Sequence, residues 1–188
     1  MAKQFAVIEA AHRAFIEKQR LFFVASATPG ARVNLSPKGL DGLRVLGPSQ
    51  VVYLDYTGSG NEPSAHLAAG SPLTLMVCAF EGAPMILRLY GQGRILRRGG
   101  AEYAALLAER FDGRAPPGAR PMVMLDVELL QTSCGFGVPL FDYVGERAWL
   151  ISWAEAKGED GLRAYRAEKN ARSIDGLVTG FEEAAVTD

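Results

Sequence analysis

The chain has 188 residues, 48% of them hydrophobic and 22% charged, with a formal net charge of −1 at pH 7. That length supports one packed domain without help from disulfides or metal. The near-neutral charge excludes a global basic field for nucleic acid or anionic lipid, and Cys78 and Cys134 have no CxxC partner, so zinc and thioredoxin-like chemistry lose support.

At the N-terminus Phe5, Ile8, His12 and Phe15 recur three or four residues apart, which predicts an amphipathic first helix. His12 falls on its apolar face, where a packed or capped imidazole is expected rather than a ligand. No continuous apolar h-region precedes it, and no apolar run reaches the roughly 18 residues of a membrane span. The sequence therefore reads as cytoplasmic, and the sequon at Asn34 as idle.

A strand is predicted over 21–27, a turn at "TPGA", and an alternating strand "RVNLSPK" over 32–38. Asp41-Gly42 makes a tight turn into a short strand, and "VVYLDY" (51–56) reads as a strong one. After the polar stretch "TGSGNEPS", "AHLAAG" (65–70) predicts a short helix ended by Gly70. Strands follow at 72–80 and 85–96, the second interrupted by Gly91 and Gly93, which suggest bulges or close backbone approach. Next come a helix at 101–111, an exposed loop, and a last long strand at 122–132. An irregular "SCGFGVPLFDYVGER", a charged helix at 158–171 and a tail opening "SIDGLVTG" complete the chain.

Six or seven strands joined mostly by short turns argue against regular βαβ alternation. The reading is mainly β (α+β), an antiparallel barrel or strongly curled sheet with peripheral helices. With no repeat or composition break, it is one domain over 1–188, with a helical extension from about 148.

Familiar catalytic signatures are missing: there is no GxxxxGK[ST] and no GxSxG, and "GQGRIL" holds only the start of a Gly fingerprint, inside a strand. His12 and His66, without clustered carboxylates, make a poor metal site. The polar strands say more. Alternation sets Arg32, Asn34 and Ser36 on one face of "RVNLSPK", with Lys38 joining them if the strand runs through Pro37. The same row also suits the solvated outer face of an edge strand. The loop "YTGSGN" is either a Gly-rich connector or a set of hydroxyls and backbone donors. A phosphate, at about −1.5 to −2 charges, needs such donors together with cations. Strand and loop together would hold a phosphorylated ligand. In the charged helix, Glu168 and Arg172 stand at i,i+4 on a solvated face. Phe136, between two glycines, suits a flat ligand, a subunit contact or plain loop packing.

At "RVNLSPK", "VVYLDYTGSGNEPSAHL" and "ILRLYGQGRIL", over about Phe15 to Tyr143, the sequence resembles the pyridoxamine 5'-phosphate oxidase-like FMN-binding split-barrel family. The resemblance implies a six-stranded antiparallel split barrel and a homodimer with FMN in clefts at the subunit interface. Lys38 matches the family's FMN-binding Lys, and Arg32 stands one residue further from it than the family's Arg. Tyr56 and Thr57 match its Tyr-Thr pair. Glu62, Pro63 and Ser64 stand where the oxidases carry Ser, Arg and Lys. Ser59 and Asn61 are then the expected neutral replacements, and Arg88 on the next strand is the candidate to restore one charge. The oxidases' late Arg-x-His signature is absent.

The expected protein is a dimeric, FMN-dependent oxidoreductase acting on a small molecule. Its expected cofactor residues are Arg32, Asn34, Ser36, Lys38, Tyr56, Thr57, Ser59, Asn61 and Arg88. No protein acid or base is identified; Arg88 and Tyr90 are candidates by position only. The alternative is a non-catalytic module carrying FMN or haem.

Overall fold

The computed structural model describes residues 2–180. Eight strands and four helices follow in the order β1 (Lys3–Phe5), α1 (Ala10–Lys18), β2 (Phe22–Ser26), β3 (Asn34–Lys38), β4 (Leu43–Gly47), β5 (Gln50–Tyr56), α2 (Glu62–Ala68), β6 (Pro72–Cys78), β7 (Ile86–Leu96), α3 (Ala101–Arg110), β8 (Ala119–Ser133) and α4 (Trp149–Lys169). All ladders are antiparallel, in the order β3-β2-β6-β7-β8-β5-β4, with β1 added to β8. The class is the expected one, a curled antiparallel sheet with helices outside, though it has eight strands rather than six.

The extra strand is β1. The helical spacing from Phe5 to Phe15 holds only from Ala10 onward. Lys3–Phe5 instead pairs with Leu130–Thr132. The 15-residue β8 outruns β5, and its open edge takes β1. Unpaired strand backbone is a stronger demand than local periodicity. His12 caps its helix: the Glu9 N–H donates to its Nδ1 at 3.2 Å, and its ring meets Phe5 edge-on at 4.4 Å.

The barrel interior is filled by Val24, Val51, Leu75, Leu87, Leu125 and Leu130. A second cluster forms where Val52, Leu54, Met122 and Met124 meet Tyr103 and Phe111 at α3. Strands β5 and β8 are thus buried on both faces, which explains why "VVYL" and "MVML" are apolar without alternation. The bulge expected at Gly91 is present as a register shift between Tyr90 and Gly91. A Cβ at Gly91 would lie 1.9 Å from the Asp126 carbonyl oxygen.

Helix α4 starts at Trp149, nine residues before the charged stretch that predicted it, and is broken at Gly158 with φ 65°. Glu168 pairs with its neighbour Lys169 at 2.6 Å, and Arg172 donates to the Gly176 carbonyl. The expected i,i+4 pair gives way because the helix ends at Lys169, before Arg172.

Candidate functional site

Strand β3 presents its polar face inward. Asn34 is buried and Ser36 and Lys38 are half-buried, while Val33 and Leu35 are 74% and 65% exposed. This inverts the solvated-edge reading of the row. Asn34 Nδ2 donates to the Val24 carbonyl at 3.3 Å, and Ser36 Oγ to Asn34 Oδ1 at 2.8 Å. Beside them Ser26 Oγ lies 2.9 Å from His66 Nδ1.

Lys38 ends this row on a buried carboxylate. Alternation along β5 turns Tyr53 and Asp55 inward. Lys38 Nζ donates to Asp55 Oδ1 at 2.7 Å, and Arg120 Nη2 to Asp55 Oδ2 at 2.7 Å. Arg120 is itself only 3% exposed and also donates to the Gly60 carbonyl at 2.7 Å and to Asn170 Oδ1 at 3.0 Å. Burial alone would raise the Asp55 carboxyl. The Arg120 and Lys38 charges outweigh it and hold the group below the ordinary carboxylate range.

The loop after β5 is gripped by the far end of the chain. Thr57 and Asn61 are buried, and Ser59 is exposed. Arg166 Nη1 donates to Thr57 Oγ1 at 3.3 Å, and Asn170 Nδ2 to the Gly58 carbonyl at 2.9 Å. Asn61 spends its Nδ2 donor on the Asn170 carbonyl. Arg32 lies ahead of β3, not within it. Its backbone N–H donates to Asp175 Oδ2 at 2.7 Å, and its guanidinium to Asp175 Oδ1. That backbone donation, with the guanidinium behind it, holds the Asp175 carboxyl low.

The structure therefore gathers Asn34, Ser36, Lys38, Thr57 and Asn61 around one barrel end, with Arg32 at its mouth. Of the other three expected residues, Ser59 is exposed on the loop after β5 and two lie elsewhere. Tyr56 points opposite to Asp55 and packs on the α3 cluster. Arg88 sits between core residues Leu87 and Leu89 on the outer face of β7, 3.3 Å from Ser133 Oγ. Tyr90 shares that outer face by alternation. The additions are Asp55, Arg120, Arg166, Asn170 and Asp175. The lone carboxylate in "VVYLDY" was a visible signal for Asp55. The other four meet the site only through long-range folding.

A cavity of about 570 Å³ adjoins this network, lined among others by Ser64, Leu67, Arg97, Arg120, Arg166 and Thr179. Its volume lies in the range of cofactor sites. A second, of similar volume, lies between Leu21, Phe80, Phe141 and Trp149. Among the described residues no cluster of three metal-ligating side chains occurs, and no helix is long and apolar enough to cross a membrane.

Sheet order and peripheral helices define a split-barrel fold. The sequence comparison gives the family directly: residues 8–134 match the pyridoxamine 5'-phosphate oxidase family model. The pyridoxamine 5'-phosphate oxidase family protein ustO of Aspergillus flavus is 39% identical over 176 residues, spanning 85% of this chain and 70% of that protein. The chain belongs to the pyridoxamine 5'-phosphate oxidase family. Among solved structures, a candidate pyridoxamine 5'-phosphate oxidase from Lactobacillus delbrueckii aligns with TM-score 0.52 at 20% identity, covering 67% of this chain and 94% of the other. HupZ from Group A Streptococcus aligns with TM-score 0.51 at 16% identity, covering 64% and 91%. At such identities the two structures speak to the fold alone.

The residues fit a phosphate-bearing cofactor in kind. Lys38 and Arg32 carry the charge, and Ser36, Thr57 and Ser59 the hydroxyls, that such a group needs, with Lys38 here paired to Asp55, Arg32 to Asp175 and the Ser36 hydroxyl given to Asn34. The Arg32 backbone N–H and guanidinium converge on one anion, the Asp175 carboxylate.

Proposed function

We propose that the chain is a flavoprotein that binds FMN and acts as an oxidoreductase on a small molecule, working as a homodimer with the cofactor at the subunit interface. The observation that carries the reading is the inward polar face of β3, from Asn34 to Lys38, with the Arg32–Asp175 ion pair just ahead of it, in a chain of this family. An edge strand that only faced water would turn Asn34, Ser36 and Lys38 outward and bury Val33 and Leu35. FMN, when bound, supplies the redox chemistry. This chain's residues supply the phosphate seat, the hydroxyl donors and a dry apolar barrel behind them.

The test is an absorbance spectrum of the purified protein before and after incubation with FMN. Flavin bands near one equivalent per chain are expected. A colourless protein that ignores added FMN overturns the reading. A screen of NAD(P)H and reduced deazaflavin as electron donors then separates turnover from mere carriage.

A further inference from the structure

Past α4 the chain folds into a small closed hairpin. Arg172 bridges to Val178, the Ser173 N–H donates to the Leu177 carbonyl at 2.8 Å, and Gly176 turns the tip with φ 81°. Its base is anchored. Asn170 is fully buried, and Thr179 Oγ1 donates to the Asn170 carbonyl at 2.5 Å and to the Ala171 carbonyl at 3.1 Å. Its tip is held differently. Among the described residues, hydrogen bonds join it to the rest of the fold at two places: Arg32 on Asp175, and the Ile174 N–H on Glu62 Oε1 of α2 at 3.3 Å. Ile174 and Val178 stay largely in solvent, while Asp175 and Leu177 are half-buried and Ser173 is buried.

We propose that this hairpin, residues 172–178, is a displaceable strap whose Asp175 carboxylate holds the place of the ligand's phosphate on Arg32. A phosphorylated cofactor loads as the tip lifts away from the Arg32 seat. The inference rests on the reading that this barrel end takes a phosphate. An anion pair whose guanidinium faces solvent shifts an equilibrium by no more than about fivefold. A phosphate brings about −1.5 to −2 charges and more acceptor oxygens than a carboxylate, so it wins the seat. The base at Asn170 and Thr179 stays fixed, and the motion is confined to the tip. The strap thereby taxes phosphate-dependent binding by the fraction of time it is closed. It leaves a ligand without phosphate untaxed.

The test uses full-length protein and titrates FMN and riboflavin into the native chain and the variants Asp175→Ala, Asp175→Asn and Arg32→Ala. Removing the Asp175 charge should tighten FMN about two- to fivefold, the reach of an exposed ion pair. Riboflavin binding should stay unchanged. Arg32→Ala should weaken FMN and leave riboflavin alone. Equal effects of Asp175→Asn on both flavins, or none on either, overturn the strap. If no variant binds either flavin, the flavin reading itself fails, and inorganic phosphate decides the strap by hydrogen exchange. Faster exchange over 173–177 on adding phosphate supports it, and unchanged exchange there overturns it.

Discussion

Asp55 carries two cations on one buried carboxylate, with Lys38 on one oxygen and Arg120 on the other. Removing it leaves an ammonium and a guanidinium facing each other in a barrel end that excludes water. Breaking a buried pair in this way costs about 3–5 kcal/mol. Asp55→Ala should therefore lower the denaturant midpoint by that much free energy at unchanged slope, and a loss under about 1 kcal/mol would show the network to be solvated. The pH dependence follows from the depressed carboxyl. The unfolded chain titrates Asp near 3.9, above the folded value, so the unfolded state binds the extra proton. The contribution is complete above that pH and is lost as pH falls through the folded value. The stability gap between the native chain and Asp55→Asn should thus narrow from pH 7 to pH 3. Lys38 was legible because it closes an alternating strand. Asp55 showed as a lone carboxylate, but its pairing with Lys38 did not, because the two are 17 residues apart on strands that are not paired with each other. Tyr56 illustrates a different limit: consecutive strand residues face opposite ways, so Asp55 inward means Tyr56 outward.

At the scale of elements, the alternation of "RVNLSPK" located β3 but left its inner face open, because a period of two is symmetric between the two faces. Burial by neighbouring strands decides that question, and here it chose the polar set. Seven of the eight strands were readable from runs and turns. The eighth, β1, depends on the length of β8, which no local pattern reveals. The glycine signal in β7 was specific. Gly91 sits at a bulge where any Cβ would meet the Asp126 carbonyl oxygen at 1.9 Å, backbone that has no rotamer to yield. Strands β7 and β8 run paired along their length, so relief requires moving the central ladder of the sheet. Gly91→Ala should cost about 3 kcal/mol, the upper part of the overpacking range, seen as a lowered thermal midpoint. A neutral outcome would mean the bulge relaxes freely.

For the whole molecule, the inward polar face of β3 has an outward consequence. Val33 and Leu35, beside an unpaired sheet edge, stand in solvent, and Phe136, Leu140, Val144 and Trp149 are exposed on the segment after β8. An apolar edge strand is an aggregation hazard unless something covers it, and a second copy of the chain is the cover proposed above. Two-fold symmetry makes each interface substitution count twice. If Leu35 is buried in that contact, placing Glu there forfeits about 1.5–3 kcal/mol per copy, hence about 3–6 kcal/mol per dimer. At 1.4 kcal/mol per decade that is a rise of roughly two to four orders of magnitude in the dimer dissociation constant. Sedimentation should then show a native dimer at micromolar concentration and a monomeric Leu35→Glu variant. A cofactor held between subunits would be lost from that monomer, although Leu35 points away from Lys38 and Ser36 on its own chain. A native monomer sinks the dimer outright. A Leu35→Glu variant that stays dimeric moves the interface off β3, and one that turns monomeric yet keeps FMN places the cofactor wholly within one chain.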